Sequence, residues 1–150
     1  MKFPRLTKLN SMILICLILW TAFIWNNSIP KQEVSNEQSQ YVTEIVEPVL
    51  EAVQVPTQSH HHFVRKSAHL IEFSVLGILW AVLFRGRHLQ WPLLGCLLTA
   101  MADEGIQALT GRGNQWSDVG LDFFGSAAAI LAVSVVFFLW NRLKKSWSNR

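Results

Sequence analysis

The stretch DEGIQALTGRGNQWSDVGLDFFG, residues 103–125, carries four acidic residues at the borders of two long apolar runs. The four acids are Asp103, Glu104, Asp118 and Asp122. An ionised side chain at the centre of a membrane-spanning helix costs roughly 2.5–3.5 kcal/mol. If both runs cross a membrane, these acids must lie near its surface or be compensated by other polar groups.

The apolar residues are concentrated in four runs, at about residues 9–25, 63–84, 91–109 and 119–140. Each run is close to the ~20 residues that a helix needs to cross a bilayer. Most of the seven tryptophans lie near run ends, where amphipathic rings prefer the membrane interface. A soluble protein with four buried helices is the alternative, but too little polar surface remains to solvate it. The pattern predicts an all-α, polytopic membrane protein with one domain, residues 1–150. Its architecture would be a four-helix transmembrane bundle with an outer amphipathic helix.

The thirteen basic residues indicate how this bundle is oriented. Most of them lie before the first run, between the second and third runs, or after the fourth. The positive-inside rule therefore predicts a multi-pass protein of the plasma membrane with both termini in the cytoplasm. Anionic lipid explains the basic ends better than nucleic acid, so membrane lipids are the expected partners and nucleic acid is not. The first run lacks the small-residue cleavage site of a signal peptide, so we expect a retained helix.

The segment 26–62 is the only long connection, and we expect it outside the membrane as an outer loop. NNSIPKQEVSNEQSQ, residues 26–40, is polar and predicts a loop. Apolar residues from Val42 to Val53 then recur at helical spacing, which predicts an amphipathic helix kinked or entered at Pro48. His60, His61 and His62 follow, but adjacent residues do not share a helix face. No metal site and no cofactor are predicted.

Polar residues form a stripe at the expected outer end of each of the last three runs. Arg65, His69 and Glu72 are spaced i, i+4 and i+7 in the second run. In the fourth run, one helix face is acidic at its outer end and carries small residues further inward. Small residues let membrane helices approach closely. The candidate ligand-binding residues are Arg65, His69, Glu72, Asp103, Glu104, Gln107, Arg112, Ser117, Asp118 and Asp122. Ser117 or Asp118 is also the expected N-cap of the last helix.

This polar centre has two interpretations. It is either a binding site that faces outward, or a set of ion pairs that holds the helices in register. When His69 is neutral, three basic side chains near this end of the runs, Arg65, Lys66 and Arg112, face five acids, and this imbalance leaves room for a proton, a cation or a polar ligand. The sequence decides neither the ligand nor whether the bundle forms a homodimer.

Three motifs resemble the VanZ-like family of small bacterial membrane proteins. They are RKSAHLIEFSVLG (residues 65–77), DEGIQALTGR (103–112) and SDVGLDFFG (117–125). The resemblance covers about residues 13–140, although family members often carry Tyr near Glu72 and Asn in place of Asp122. It implies an association with resistance to teicoplanin and its lipid-tailed relatives.

Three functions are compatible with these residues. The first is a non-enzymatic membrane protein that binds an amphiphile, such as a lipoglycopeptide or a lipid-linked cell-wall intermediate. The second is an enzyme on a lipid-linked substrate, with Glu104 or His69 as the acid/base. No familiar hydrolase, metalloprotease or phosphate-loop motif supports an enzyme. The third, ion or proton movement, lacks ionisable residues in the inner halves of the runs.

Overall fold

The computed structural model describes residues 7–30, 32–52, 56, 60–111 and 116–148. These residues form five helices and contain no strand: α1 (Lys8–Ser28), α2 (Gln32–Ala52), α3 (His60–Leu83), α4 (Gln90–Leu109) and α5 (Trp116–Ser148). The all-α prediction is therefore confirmed.

Three of these helices are long and apolar enough to cross a membrane: Lys8–Ser28, Phe63–Leu83 and Trp116–Ser148. The α4 helix has 20 residues but is not among them. It carries Asp103, Glu104 and Gln107 within its last two turns, which leaves it a shorter apolar part than the other three. Three of the four predicted membrane crossings therefore correspond to helices with sufficient length and hydropathy.

The core of the bundle is formed where α4 packs against α1, α3 and α5. Its fully buried side chains include Ile24, Phe73, Cys96, Ala100 and Ile130, so four helices contribute. Large apolar side chains also cover the outside of the bundle, as a lipid-facing surface requires. Cys16 and Cys96 are both free.

Close contact between α3 and α5 depends on glycine. A Cβ atom on Gly77 would lie 2.4 Å from the carbonyl oxygen of Ser126. A Cβ atom on Gly125 would lie 2.8 Å from a methyl group of Leu70. The prediction that small residues of α5 permit a close helix approach is confirmed at Gly125.

The loop predicted for residues 26–40 is wrong. The α1 helix continues to Ser28 and α2 already begins at Gln32, so most of this polar segment is helical. Gln and Glu have high helix propensity, and a polar segment can form a stable helix when one of its faces packs against a neighbouring helix. The predicted amphipathic helix is confirmed as the second half of α2, with Pro48 inside it. The α2 helix packs against α3.

Both ends of α5 differ from the expectation. The helix begins at Trp116, so the N-cap prediction for Ser117 or Asp118 is wrong. Asp118 lies instead in the first turn, where the helix dipole stabilises a negative charge. At the other end, α5 runs through the predicted basic tail to Ser148.

The turn between α3 and α4 contains three residues with positive φ: Arg85, Gly86 and His88. Gly86 lies against α5, where a Cβ atom would be 2.9 Å from the Cα of Ser134. This tight turn reverses the chain and starts α4 close to the α5 helix.

Candidate functional site

The polar residues of four helices meet at one end of the bundle. They come from the C-terminal ends of α1 and α4 and from the N-terminal halves of α3 and α5. The α1 and α4 ends are also joined by a hydrogen bond of 3.3 Å from the Thr110 hydroxyl to the Ser28 carbonyl. We call the group formed by His69, which is partly exposed, and by the buried Asp103 and Asp122 the inner cluster.

Asp103 is the most enclosed member of the inner cluster, with 0% of its surface exposed. Its Oδ1 atom accepts a hydrogen bond of 2.6 Å from the Ser28 hydroxyl. Its Oδ2 atom accepts a hydrogen bond of 2.8 Å from Nε2 of Gln107, one turn later in α4. The carboxylate is therefore fixed in one orientation by α1 and by its own helix.

His69 lies between the two buried carboxylates. Its Nδ1 atom is 4.0 Å from Oδ2 of Asp103 and 3.9 Å from Oδ1 of Asp122. Asp122 is 2% exposed, and its Oδ1 atom has no hydrogen-bond partner among the described residues. Buried polar atoms are nearly always satisfied, so an unsatisfied carboxylate oxygen at this depth is unusual.

A second set of charges lies at the rim of the inner cluster. Asp118 is 3.9 Å from the Arg65 guanidinium and 3.7 Å from the Lys66 ammonium group. The Ser117 hydroxyl is exposed and donates a hydrogen bond of 3.4 Å to Oδ1 of Asp118. These ion pairs connect α3 to α5 at a partly exposed position, where each contributes little to stability.

The two glutamates are held at different depths. Oε1 of Glu72 accepts a hydrogen bond of 3.0 Å from Nδ2 of Asn27, and its backbone carbonyl accepts one of 2.9 Å from Nε1 of Trp20. Both contacts join α1 to α3. Glu104 is buried in α4, next to Asp103 in sequence.

The structure thus brings together most of the predicted site. Nine of the ten predicted residues are described; Arg112 lies outside the described residues. His69, Asp103 and Asp122 converge, and Gln107 supports Asp103. The expectation that three runs contribute polar groups to one end of the bundle agrees with this geometry.

The sequence analysis missed the contribution of α1. Trp20, Asn27 and Ser28 all bond to site residues or to their backbone. A signal was present, because Asn26, Asn27 and Ser28 are polar residues directly after an apolar run. The predicted loop began at Asn26, but α1 continues to Ser28. This places the Ser28 hydroxyl within hydrogen-bond distance of Asp103.

The inner cluster also has the spacing of a metal-binding group. One ligand atom from each of His69, Asp103 and Asp122 lies within 4.8 Å of the other two. Imidazole nitrogen and carboxylate oxygen are ordinary ligands for divalent cations.

The opposite end of the bundle carries a basic groove of about 640 Å³. Its charged lining comes from Arg85, Arg87, Arg142 and Lys145, with Ser134 and Phe138 among the remaining residues. The Arg142 guanidinium lies 5.1 Å from the centre of the Phe138 ring. The groove is therefore suited to an anionic headgroup.

The three apolar helices of membrane-crossing length indicate a membrane protein. The buried acids and His69 form a polar centre at one end of its bundle. The chain belongs to the VanZ/LLP1 family, whose family model matches residues 13–139. The family resemblance of the three motifs is thereby confirmed. Comparisons with curated proteins and with solved structures gave no match.

Proposed function

We propose that this protein crosses the plasma membrane four times, with both termini in the cytoplasm and the inner cluster near the outer surface. The fourth crossing is α4. Its C-terminal end bonds to the end of α1, and its N-terminal end follows the turn that packs on α5. A helix of 20 residues is about 30 Å long, which matches the hydrocarbon thickness of a bilayer.

The orientation follows from charge. Arg85, Arg87, Arg142 and Lys145 meet at the end of the bundle opposite the inner cluster. The positive-inside rule places such an end in the cytoplasm. Anionic lipid of the inner leaflet would then occupy the basic groove.

We propose that the polar centre binds the headgroup of an amphiphile at the outer surface, either a lipoglycopeptide or a lipid-linked intermediate of the cell wall. Such binding would lower the action of teicoplanin-type antibiotics. The proposal rests on one observation, the inner cluster. The helices α3, α4 and α5 each contribute one ionisable side chain to it. Membrane helices can associate through small residues, and Gly77 and Gly125 already permit close packing of α3 against α5. Close packing therefore does not by itself account for the ionisable groups of the inner cluster.

The test compares variants in a susceptible Gram-positive host. Wild type, Asp103→Asn and Glu44→Gln are expressed, and teicoplanin susceptibility is recorded together with membrane abundance. Asp103→Asn removes a buried charge with almost no change of shape, whereas Glu44 is an exposed acid of α2 and serves as the control. We expect wild type and Glu44→Gln to protect, and Asp103→Asn to be present at normal abundance without protecting. Protection that survives Asp103→Asn, or a wild type that never protects, would count against the proposal.

The geometry also supports a second candidate, an enzyme that acts on a lipid-linked substrate. His69 beside two carboxylates is an arrangement that can hold and transfer a proton. Purified protein would be incubated with labelled lipid extracts from a Gram-positive membrane. Turnover that stops in His69→Gln but continues in Glu44→Gln would favour the enzyme over simple binding.

A further inference from the structure

We propose that His69, Asp103 and Asp122 bind one divalent transition-metal cation, Zn²⁺ or Mn²⁺. These residues lie on three different helices and far apart in the chain, so no spacing motif in the sequence marks them as metal ligands. This inference does not depend on the proposed function, since it concerns only the affinity of the protein for the cation.

The spacing of the donor atoms fits a metal site. For three atoms within 4.8 Å of one another, a point exists that is no more than about 2.8 Å from each. Zn²⁺ binds histidine nitrogen and carboxylate oxygen at about 2.0–2.2 Å, so each donor needs to move inward by less than about 1 Å. Asp103 is held in place by its two hydrogen bonds, so a bound cation would draw the His69 and Asp122 side chains towards it.

The surroundings of Asp103 are those of a supported metal ligand. Ser28 and Gln107 each donate a hydrogen bond to one of its carboxylate oxygens. A carboxylate oxygen has two lone pairs, so Oδ2 can accept the bond from Gln107 and still bind a cation. Hydrogen bonds of this kind orient the carboxylate ligands of metal sites.

The electrostatics of the inner cluster favour a cation. Oδ1 of Asp122 is buried and has no hydrogen-bond partner within the described ranges. Asp103, Glu104 and Asp118 are near enough to repel the negative charge of Asp122. A divalent cation between the two buried aspartates would neutralise both and would coordinate the unsatisfied oxygen.

The donor set selects the kind of metal. An imidazole nitrogen suits Zn²⁺, and the two carboxylates also suit Mn²⁺, whereas Mg²⁺ and Ca²⁺ are usually bound by oxygen ligands alone. Three protein donors leave at least one coordination position open. Water or an anionic group of a bound molecule could occupy that position.

The experiment uses the full chain purified without a polyhistidine tag, in detergent micelles, after treatment with a chelator. All proteins carry His61→Gln and His62→Gln, so that the histidine tract cannot bind the probe. Zn²⁺ alone is titrated calorimetrically, and Mn²⁺ alone is followed by electron paramagnetic resonance. We expect one equivalent to bind, and affinity at least about tenfold weaker in Asp122→Asn and in His69→Gln.

Glu44→Gln is the matched control, because Glu44 is an exposed acid of α2 that lies outside the polar centre. Its variant should bind the cation as tightly as the parent. Size-exclusion profiles and melting temperatures without metal establish that the variants are folded. The proposal is overturned if the folded parent takes up no cation, or if Asp122→Asn and His69→Gln bind it as well as the parent does.

Discussion

Ser28, the last residue of α1, donates a 2.6 Å hydrogen bond to Oδ1 of Asp103, which lies 75 positions later in α4. Both residues are buried, with 1% and 0% of their surfaces exposed. The bond connects the first helix of the bundle to the inner cluster and fixes the Asp103 carboxylate from outside its own helix.

Ser28→Ala should destabilise the protein, because it leaves one oxygen of a fully buried carboxylate without its donor. We expect a loss of about 1–2 kcal/mol in the free energy of unfolding. Denaturant titration in mixed micelles measures this loss. Ser146→Ala, at an exposed position of α5, is the control and should behave like wild type. Equal stability of the two variants would mean that the hydrogen bond contributes nothing.

Gly77→Ala should destabilise the protein, although it adds only one methyl group. The new Cβ atom would lie 2.4 Å from the Ser126 carbonyl oxygen, so α3 and α5 must separate. Overpacking of this kind costs typically about 1–3 kcal/mol. Gly120→Ala is the matched control, because a Cβ atom there has no neighbour within 4 Å, and alanine favours a helix. Melting temperatures should fall for Gly77→Ala and stay level or rise for Gly120→Ala; the same change in both would contradict this account.

The sequence predicted most of the helices because each leaves a local pattern. Apolar runs near the length of a bilayer identified α1, α3 and α5, and the 3.6-residue period identified the second half of α2. The first half of α2 was missed, since a polar segment without apolar periodicity looks the same in a loop and in an exposed helix.

The candidate site was predictable in part for a similar reason. Asp103, Asp122 and His69 stand out because ionisable residues inside apolar runs are costly. Which of the acids pair, and which remain in the core, depends on helix rotation and tilt. The division between the buried Asp122 and the rim residue Asp118 therefore required the structure. The role of Ser28 also required it, because a single serine at a helix end carries no signal of its partner.

Accessibility of single cysteines should report the proposed orientation. In a background of Cys16→Ala and Cys96→Ala, Glu44→Cys on α2 and Ser146→Cys near the end of α5 are both at exposed positions. A membrane-impermeant maleimide should label Glu44→Cys on intact cells. It should label Ser146→Cys only after the cells are permeabilised, because the basic end is expected in the cytoplasm. The reverse pattern would invert the proposed topology.

Asp118→Arg should weaken the rim of the site, because it places three basic side chains where Arg65 and Lys66 now face one acid. A basic residue in the first turn of α5 is also unfavourable with the helix dipole by about 0.3–1 kcal/mol. We expect a loss of about 1–2 kcal/mol in unfolding free energy. Adding Arg65→Asp and Lys66→Asp restores opposite charges and should recover only part of it, since the dipole penalty remains. Unfolding curves for the single and triple variants measure both steps at low salt, and high salt should bring the curves together. A triple variant no more stable than Asp118→Arg would show that these ion pairs do not hold α3 to α5.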